Sequence, residues 1–468
     1  MSVQCNNNAT PPSPAIAPGA EDIDPAAVAR EIGRSGPNPT LLAIVPGFDA
    51  PFFQAGLAGY SDAAMRIIAR RHGCPFCVTE ALLDRTLLGG GRGFLKADLG
   101  ELHENIPGGP EDHPLACQIM GSDPQEMAAA ALKVAEQGRL GDKHYRLLAY
   151  EDRAPEPEES AGDAAGHDPS EGLDESCETT IDEINEVRPG DPGLGSRVES
   201  GVLGLYPTPD TRYPIPDLSF NTIDINLACP VKKIRSKARG GHWLAEPDGA
   251  IDILRAVREA VPGQIPCTVK LRRSFDDTPE MARNLEHILD VSFDLGYAWA
   301  TIHARTVQQK YIGPSRWDLL RDIVQRRPGR LIFGSGDIWE VNDIFRMIGY
   351  TGVAAVAVAR GCIGNPWIFR QAREMMTGRE PAPPSIAEQR EVLETHFRLS
   401  VSINGEECAG KTMRKFGIRF AAHHPRAEDV RRRFIAVQGV EDWLEVLDEH
   451  YAAEHNVSCK SPCKSTVL

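Results

Sequence analysis

Between Phe52 and Ala359 the chain repeats one pattern. A short apolar run, rich in β-branched or aromatic residues, precedes a longer stretch with apolar residues at i, i+3 and i+4. The runs are Phe52–Leu57, Phe76–Thr79, Leu115–Ile119, Thr222–Ile225, Cys267–Leu271, Trp299–His303, Leu331–Gly334 and Val353–Ala359. Helices are expected at Ala63–His72, from Pro124 through Gln137, and at Asp248–Ala260, Pro279–Leu295, Trp317–Arg326, Ile338–Ile348 and Pro366–Thr377. Start signals support them: Ser61 or Asp62 can cap the first, and Asp123 caps the second with Pro124 in its first turn. Eight strands, most followed by a helix, predict an α/β TIM (β/α)8 barrel over residues 46–380.

The alternation stops at Pro381-Ala382-Pro383-Pro384. Beyond it, Ser385–Asn404, Gly410–Ala422, Ala427–Val437 and Val440–Glu454 read as helices, so a small C-terminal α-helical domain is expected over 385–455, with a polar tail at 456–468. Residues 1–45 lack the basic and apolar regions of a secretory signal and read as a disordered lead-in. The barrel pattern also breaks between about 139 and 219, where Pro, Gly and acidic residues carry no period; a solvated, disordered insertion is expected there.

Charge sharpens this division. A net charge of −15 would argue against a nucleic-acid partner if it were spread evenly. It is not: Arg139 to Phe220 holds 19 acidic and 7 basic residues, leaving basic clusters at Lys232–Arg239, Lys411–Arg419 and Arg426–Arg433. No apolar run approaches the roughly 20 residues of a membrane span. Eleven cysteines in 468 residues do not make a disulfide scaffold, and a reducing, cytoplasmic setting is expected. Cys74-Pro75-Phe76-Cys77 has no companion pair of metal-ligand spacing, and Cys459 and Cys463 lie in the tail, so no metal is expected.

A barrel gathers its chemistry at the C-terminal ends of its strands. Those ends offer Glu80, Gln118, Asn226 with Cys229, Lys270 with Arg272, His303 with Arg305, Ser335-Gly336-Asp337 and Ala359-Arg360-Gly361. The last two groups follow strands 7 and 8, where small residues let backbone N–H groups approach a phosphate. Lys270 inside a barrel needs a partner, and the electron-rich edge of a flavin is one; Gln118 can bond the same ring, and His303 can reach ring or phosphate. Pro230 fixes Cys229 on a bend, followed by Lys232 and Lys233. Alone, Cys229 reads equally as a buried strand-end cysteine, and His303 as a satisfied strand-end histidine.

Several segments resemble the tRNA-dihydrouridine synthase family, the bacterial B type above all. They are Ala58-Gly59-Tyr60-Ser61-Asp62, Gln118-Ile119-Met120-Gly121-Ser122-Asp123-Pro124, Asp224-Ile225-Asn226-Leu227-Ala228-Cys229-Pro230-Val231-Lys232-Lys233, Thr268-Val269-Lys270-Leu271-Arg272, His303-Ala304-Arg305-Thr306 with Gln309, Tyr311 and Gly313, Gly336-Asp337-Ile338, and Gly364-Asn365-Pro366-Trp367-Ile368-Phe369. Arg414-Lys415-Phe416 resembles the family's helical RNA-contacting domain more loosely.

The resemblance implies an FMN-dependent enzyme that reduces a uridine of tRNA to dihydrouridine, with NADPH or NADH as reductant. It implies Cys229 as the acid at uracil C5. Gly56, Leu57, Ala58, Gln118, Lys270, His303, Ser335, Gly336, Asp337, Ala359 and Arg360 would hold FMN. Asn226 and Arg305 would meet the uracil, and Lys232, Lys233, Arg414 and Lys415 the tRNA. The chain departs from the family at Gly56-Leu57, Ala304, Val307, Ser335 and Ala359. A cytoplasmic monomer without membrane or protein partner is expected. The alternatives are an FMN barrel acting on a small molecule and a non-catalytic RNA-binding relative.

Overall fold

The structure, a computed structural model, describes residues 19–88, 110–140, 220–230 and 240–452. Eight parallel strands close a barrel: β1 (Phe52–Gln54), β2 (Cys77–Val78), β4 (Leu115–Met120), β5 (Thr222–Leu227), β6 (Cys267–Ser274), β7 (Ala300–Thr306), β8 (Ile332–Ser335) and β9 (Ala355–Val358). The β1–β9 and β2–β4 pairings complete the ring. A two-residue spur, β3 (Leu82–Leu83), pairs with the far end of β4. Helices α3 (Ala63–Arg71), α5 (Pro124–Leu140), α6 (Pro247–Ala260), α7 (Pro279–Asp294), α8 (Trp317–Gln325), α9 (Val341–Thr351) and α10 (Trp367–Met376) follow strands around it; α4 (Asp84–Leu88) follows the spur.

Alternation along the strands builds two cores. On β5, Ile223, Ile225 and Leu227 point to the helices, while Asp224 lines the barrel interior. The lower interior is filled by Phe53, Phe76, Trp299 and Phe333, with Trp299 and Phe333 stacked at 5.0 Å.

The disordered lead-in expected over 1–45 is corrected for its second half. Asp24 caps α1 (Pro25–Ser35), and Asn38 caps α2 (Pro39–Ile44), each with Pro in the first turn. Leu41, Val45 and Phe48 close the base of the barrel, where Phe48 stacks on Phe76 at 4.9 Å. Residues 1–18 lie outside the described residues, as do nearly all of the acidic insertion, Lys232, Lys233 and the tail from 453.

Strand ends also shift. The first run ends at Gln54, because Gly56 runs so close to β2 that a Cβ there would stand 2.3 Å from the Thr79 carbonyl. β6 and β7 run on through Ser274 and Thr306, with a register shift between Arg272 and Ser274. α9 begins at Val341 rather than Ile338, since the Asp343 carboxylate takes the N–H groups of Trp339 and Glu340 at 2.9 Å each.

The C-terminal domain is four helices: α11 (Ile386–Asn404), α12 (Glu406–Phe420), α13 (Ala427–Ala436) and α14 (Val440–His450). It seats on the Gly364-Asn365-Pro366-Trp367 segment. Trp367 packs its ring on Phe420 at 5.7 Å and His423 at 5.2 Å. Gly364, at φ +68°, admits α12 so closely that a Cβ would stand 2.7 Å from the Phe420 amide.

Candidate active site

Side chains that point into the barrel from β4, β5 and β6 share one hydrogen-bonded network. The Asp224 carboxylate accepts from Gln118 Nε2 and Thr268 Oγ1, both at 2.7 Å. Gln118 Oε1 accepts from Asn226 Nδ2 at 2.7 Å, and Asn226 Oδ1 accepts the Ala228 amide at 2.9 Å. Asn226 thereby shapes the turn that carries Cys229. Burial pushes the Asp224 carboxyl pKa up, against the pull of its two hydrogen bonds and the Lys270 charge.

Lys270 enters the same interior one strand over. Burial pushes its ammonium pKa down, helped by Arg272 and opposed by Asp224 and Cys229. Among the described residues its ammonium makes no hydrogen bond.

Arg272 is the clamp on the Cys229 turn. Its guanidinium donates to the carbonyls of Ala228 at 2.9 Å, Thr306 at 2.8 Å and Lys310 at 2.7 Å. It ties the residue before Cys229 to the loop after β7. Burial lowers its pKa to about 10. Gly241 N–H donates to the Cys229 carbonyl at 2.9 Å, which fixes the turn from its other side.

The third group lies at the mouths of β7, β8 and β9. Arg305 is 2% exposed; it donates to the Gly313 carbonyl and pairs with Asp337 at 2.7 Å. Asp337, at φ +58°, also takes the Ser315 N–H at 2.7 Å. Three buried polar atoms there have no partner among the described residues: His303 Nδ1, Arg305 Nη1 and Ser315 Oγ. Gly336, at φ +114°, sits among them, with a Cβ position 2.3 Å from Ser315 Oγ and 3.4 Å from His303 Nε2. Burial pushes the His303 pKa well down, and Arg272, Lys270, Arg305 and Arg360 add to it, so the ring is neutral. Orphaned buried donors around a glycine, ringed by cations, suit an anionic group with several oxygens.

The structure therefore brings Gln118, Asn226, Cys229, Lys270, His303, Arg305, Ser335, Gly336, Asp337, Ala359 and Arg360 to one end of the barrel. Gly56, Leu57 and Ala58 follow β1 at the same end, and Leu57 N–H donates to Ser61 Oγ at 2.8 Å. Glu80 holds this loop by accepting the Gly59 N–H at 2.7 Å. Arg414 is exposed on α12. Lys415 is tied back: its ammonium donates to the Gly59 carbonyl and lies 5.1 Å from the Tyr60 ring centre. Sequence reasoning missed Asp224, Thr268 and Ser315, and left Arg272 without a role. Their partners come from distant segments, and nothing local in the sequence marks them. Among the described residues no cluster suits a metal ion, and Cys74 and Cys77 are free thiols with Sγ atoms 3.9 Å apart.

These features define a parallel β/α barrel with a bonded cysteine turn and an anion-accepting mouth. The family model for dihydrouridine synthase (Dus) matches residues 215–456, from just before β5 through the helical domain, and the chain belongs to that family. A probable tRNA-dihydrouridine synthase of Mycobacterium leprae is 30% identical over 223 residues, 47% of this chain and 57% of that one. One from Treponema pallidum is 34% identical over 209 residues, 42% and 59% of the two chains. The tRNA-dihydrouridine synthase B of Proteus vulgaris is 30% identical over 236 residues, 50% and 71%. The chain thus spans less than two thirds of the first two relatives. A solved old yellow enzyme homologue from Zymomonas mobilis superposes over 72% of this chain and 95% of its own, at TM-score 0.35 and 14% identity.

Proposed function

We propose that the protein is an FMN-dependent tRNA-dihydrouridine synthase that reduces the C5=C6 bond of a uridine in tRNA, with NADPH or NADH as reductant. The observation that carries this reading is Cys229 on a turn held by Asn226 and Arg272, beside Lys270. FMN bound at this mouth supplies the hydride taken up at uracil C6.

The donor set fits that group. Lys270 would offer its ammonium to the electron-rich edge of the ring, and Gln118, bonded to Asp224 and Asn226, would border the same edge. Gly56, Leu57 and Ala58 would border the ring. The phosphate would take Ser335, Gly336, Asp337, Ala359 and Arg360, with His303 Nδ1 and Ser315 Oγ as its unpartnered neighbours.

The residues of the chain do the rest. Cys229, as a thiol, delivers a proton to C5. Arg272 holds the Ala228 carbonyl and so the direction of that thiol. Asn226 and Arg305 would meet the uracil. Lys232, Lys233, Arg414 and Lys415 take tRNA phosphates. The setting is the cytoplasm and the working unit a monomer. Among the described residues no helix is long and apolar enough to cross a membrane.

Cys229→Ala tests the assignment. The variant should bind FMN and be reduced by NADPH like the parent. Anaerobic single-turnover reoxidation by unmodified tRNA should slow by about 10²–10⁴-fold, the usual worth of a positioned acid. Reoxidation at the parent rate would remove Cys229 from the mechanism.

A further inference from the structure

Among the described residues that line the cavity inside the barrel, Asp224 is the sole acid and Lys270 the sole base. A carboxylate taken out of water is costly unless its oxygens find donors. Asp224 is 5% exposed, and each oxygen has one: Oδ2 takes Gln118 Nε2 and Oδ1 takes Thr268 Oγ1, both at 2.7 Å. The three residues are Cα partners across β4, β5 and β6, so they form one layer. Asn226 and Lys270 are partners in the layer above, and the Lys270 charge favours the ionised carboxylate. A leucine in place of Asp224 would fill the same space without a buried charge, so packing alone does not call for an acid there.

From this layer a relay runs upward with a fixed direction. An ionised carboxylate only accepts, so the Gln118 atom that faces it is the Nε2 donor. Gln118 Oε1, which only accepts, then takes Asn226 Nδ2 at 2.7 Å. That leaves Asn226 Oδ1 for the Ala228 N–H at 2.9 Å, and a backbone amide N–H only donates. An acceptor at one end and a donor at the other admit no other orientation of the two amides. Each side-chain amide keeps a second N–H, so the relay leaves Gln118 a donor for the ring and Asn226 one for the uracil.

The relay ends on the residue before Cys229. Arg272 holds the Ala228 carbonyl at 2.9 Å, and Asn226 holds its N–H. Both backbone groups of Ala228 are thus pinned by side chains from different strands.

We propose that Asp224 is a positioning residue for the proton donor: acting through Gln118 and Asn226, it holds the Ala228 amide and so the bend that presents the Cys229 thiol. The inference rests on the reading of Cys229 as the acid at uracil C5.

The test is the rate at which a small maleimide alkylates Cys229 in the oxidised protein at saturating FMN, followed peptide by peptide by mass spectrometry, for the parent, Asp224→Leu and Asp224→Asn. Leucine leaves Gln118 Nε2 without its acceptor in the interior, so Gln118 turns away and releases Asn226. Cys229 should then react about two- to tenfold faster, the equilibrium weight of one hydrogen bond. Asp224→Asn should stay within about twofold of the parent, because its Oδ1 can accept from Gln118 while its Nδ2 donates to the Thr268 hydroxyl. Cys117 and Cys267, buried on β4 and β6, report the barrel and should stay unreactive. At saturating tRNA, reoxidation of the reduced Asp224→Leu flavin should slow by about tenfold or more, part of what a positioned acid contributes, with tRNA affinity held within about threefold.

Parent-like alkylation of Cys229 in Asp224→Leu would overturn the relay. So would an Asp224→Asn protein that behaves like Asp224→Leu, since charge rather than hydrogen-bond direction would then be at work. Faster alkylation with an unchanged saturated rate would overturn the positioning role. If Cys117 or Cys267 reacts in Asp224→Leu, Gln118→Leu decides, because it cuts the relay and leaves Asp224 on Thr268. Faster alkylation confined to Cys229 in that variant supports the relay, and a parent-like rate overturns it. A parent whose reduced flavin tRNA does not reoxidise would instead sink the tRNA reading and this role with it, whatever the alkylation shows.

Discussion

Arg272→Lys keeps the charge on β6 and removes the fork. The parent side chain holds three carbonyls, those of Ala228, Thr306 and Lys310, at 2.7 to 2.9 Å. A lysine ammonium is compact and can serve one of the three. Two charge-assisted bonds are lost, at about 1.5–3 kcal/mol each. Partial hydration of the freed carbonyls returns some of this, leaving a net loss of about 2–4 kcal/mol. Against a total of about 5–15 kcal/mol the variant still folds. The functional cost is of similar size but falls on the chemistry, because the freed carbonyls flank the Cys229 turn and Tyr311. A shift of about 1 Å in a reacting group can cost about a hundredfold in rate. We therefore expect urea titration to report the stability loss, and single-turnover reoxidation by tRNA to slow about a hundredfold. Flavin content should hold. If Arg272 acts through Cys229, adding Arg272→Lys to Cys229→Ala should cost little more than Cys229→Ala alone. A stability change below about 0.5 kcal/mol, in the range of neutral surface changes, with a parent-like rate would refute the clamp.

Three further outcomes follow from the same geometry. Phe48 is fully buried against four rings at the base of the barrel, so Phe48→Ala should cost about 3–5 kcal/mol in urea unfolding; a loss under about 1 kcal/mol would refute Phe48 as a plug of the barrel base. His396 is 1% exposed and packs on Phe416; burial, helped by Lys415, lowers its pKa to about 3, below its unfolded value near 6.5. The unfolded chain binds the extra proton, so this stability is present above about pH 6.5 and is lost as pH falls toward about 3, at up to about 1.4 kcal/mol per unit. His396→Leu should flatten unfolding stability between pH 7 and 5, and an unchanged slope would refute that source. Arg414→Ala should reduce the salt slope of tRNA binding by about 0.7–0.9, whereas Lys415→Met, which removes the tie to Gly59, should lower stability as well; an effect on slope alone would place Lys415 on the RNA rather than on the barrel.

The barrel was legible because its strands are short and apolar and its helices carry their own caps. Asp62 accepts the Met65 N–H as its position before an apolar helix suggests, and Ser385 and Glu388 form a full capping box. The strand-end residues were legible for the same reason: once the strands are set, the barrel fixes which ends share a mouth. Partnership was not legible. Asp224 sits in an apolar run and gives no local sign that Gln118, 106 residues away, and Thr268, 44 residues away, will bond it. Lys415 reads as one more cation in a basic cluster, yet its partner is a carbonyl 356 residues distant. The base of the barrel was misread for the opposite reason. The caps Asp24-Pro25 and Asn38-Pro39 went unread in a segment expected to be disordered, and α2 is too short to show a face, so nothing local announced that Leu41 and Phe48 would plug the interior.

The central claim is that this barrel turns a tRNA uridine into dihydrouridine with a thiol as the proton source. The direct measurement is mass spectrometry of nucleosides from an unmodified tRNA transcript incubated with the purified flavin-loaded protein and NADPH. The account expects a uridine-derived nucleoside two hydrogens heavier, formed by the parent and nearly absent with Cys229→Ala. Turnover of NADPH with no such nucleoside, or equal yield from the Cys229→Ala variant, would contradict it.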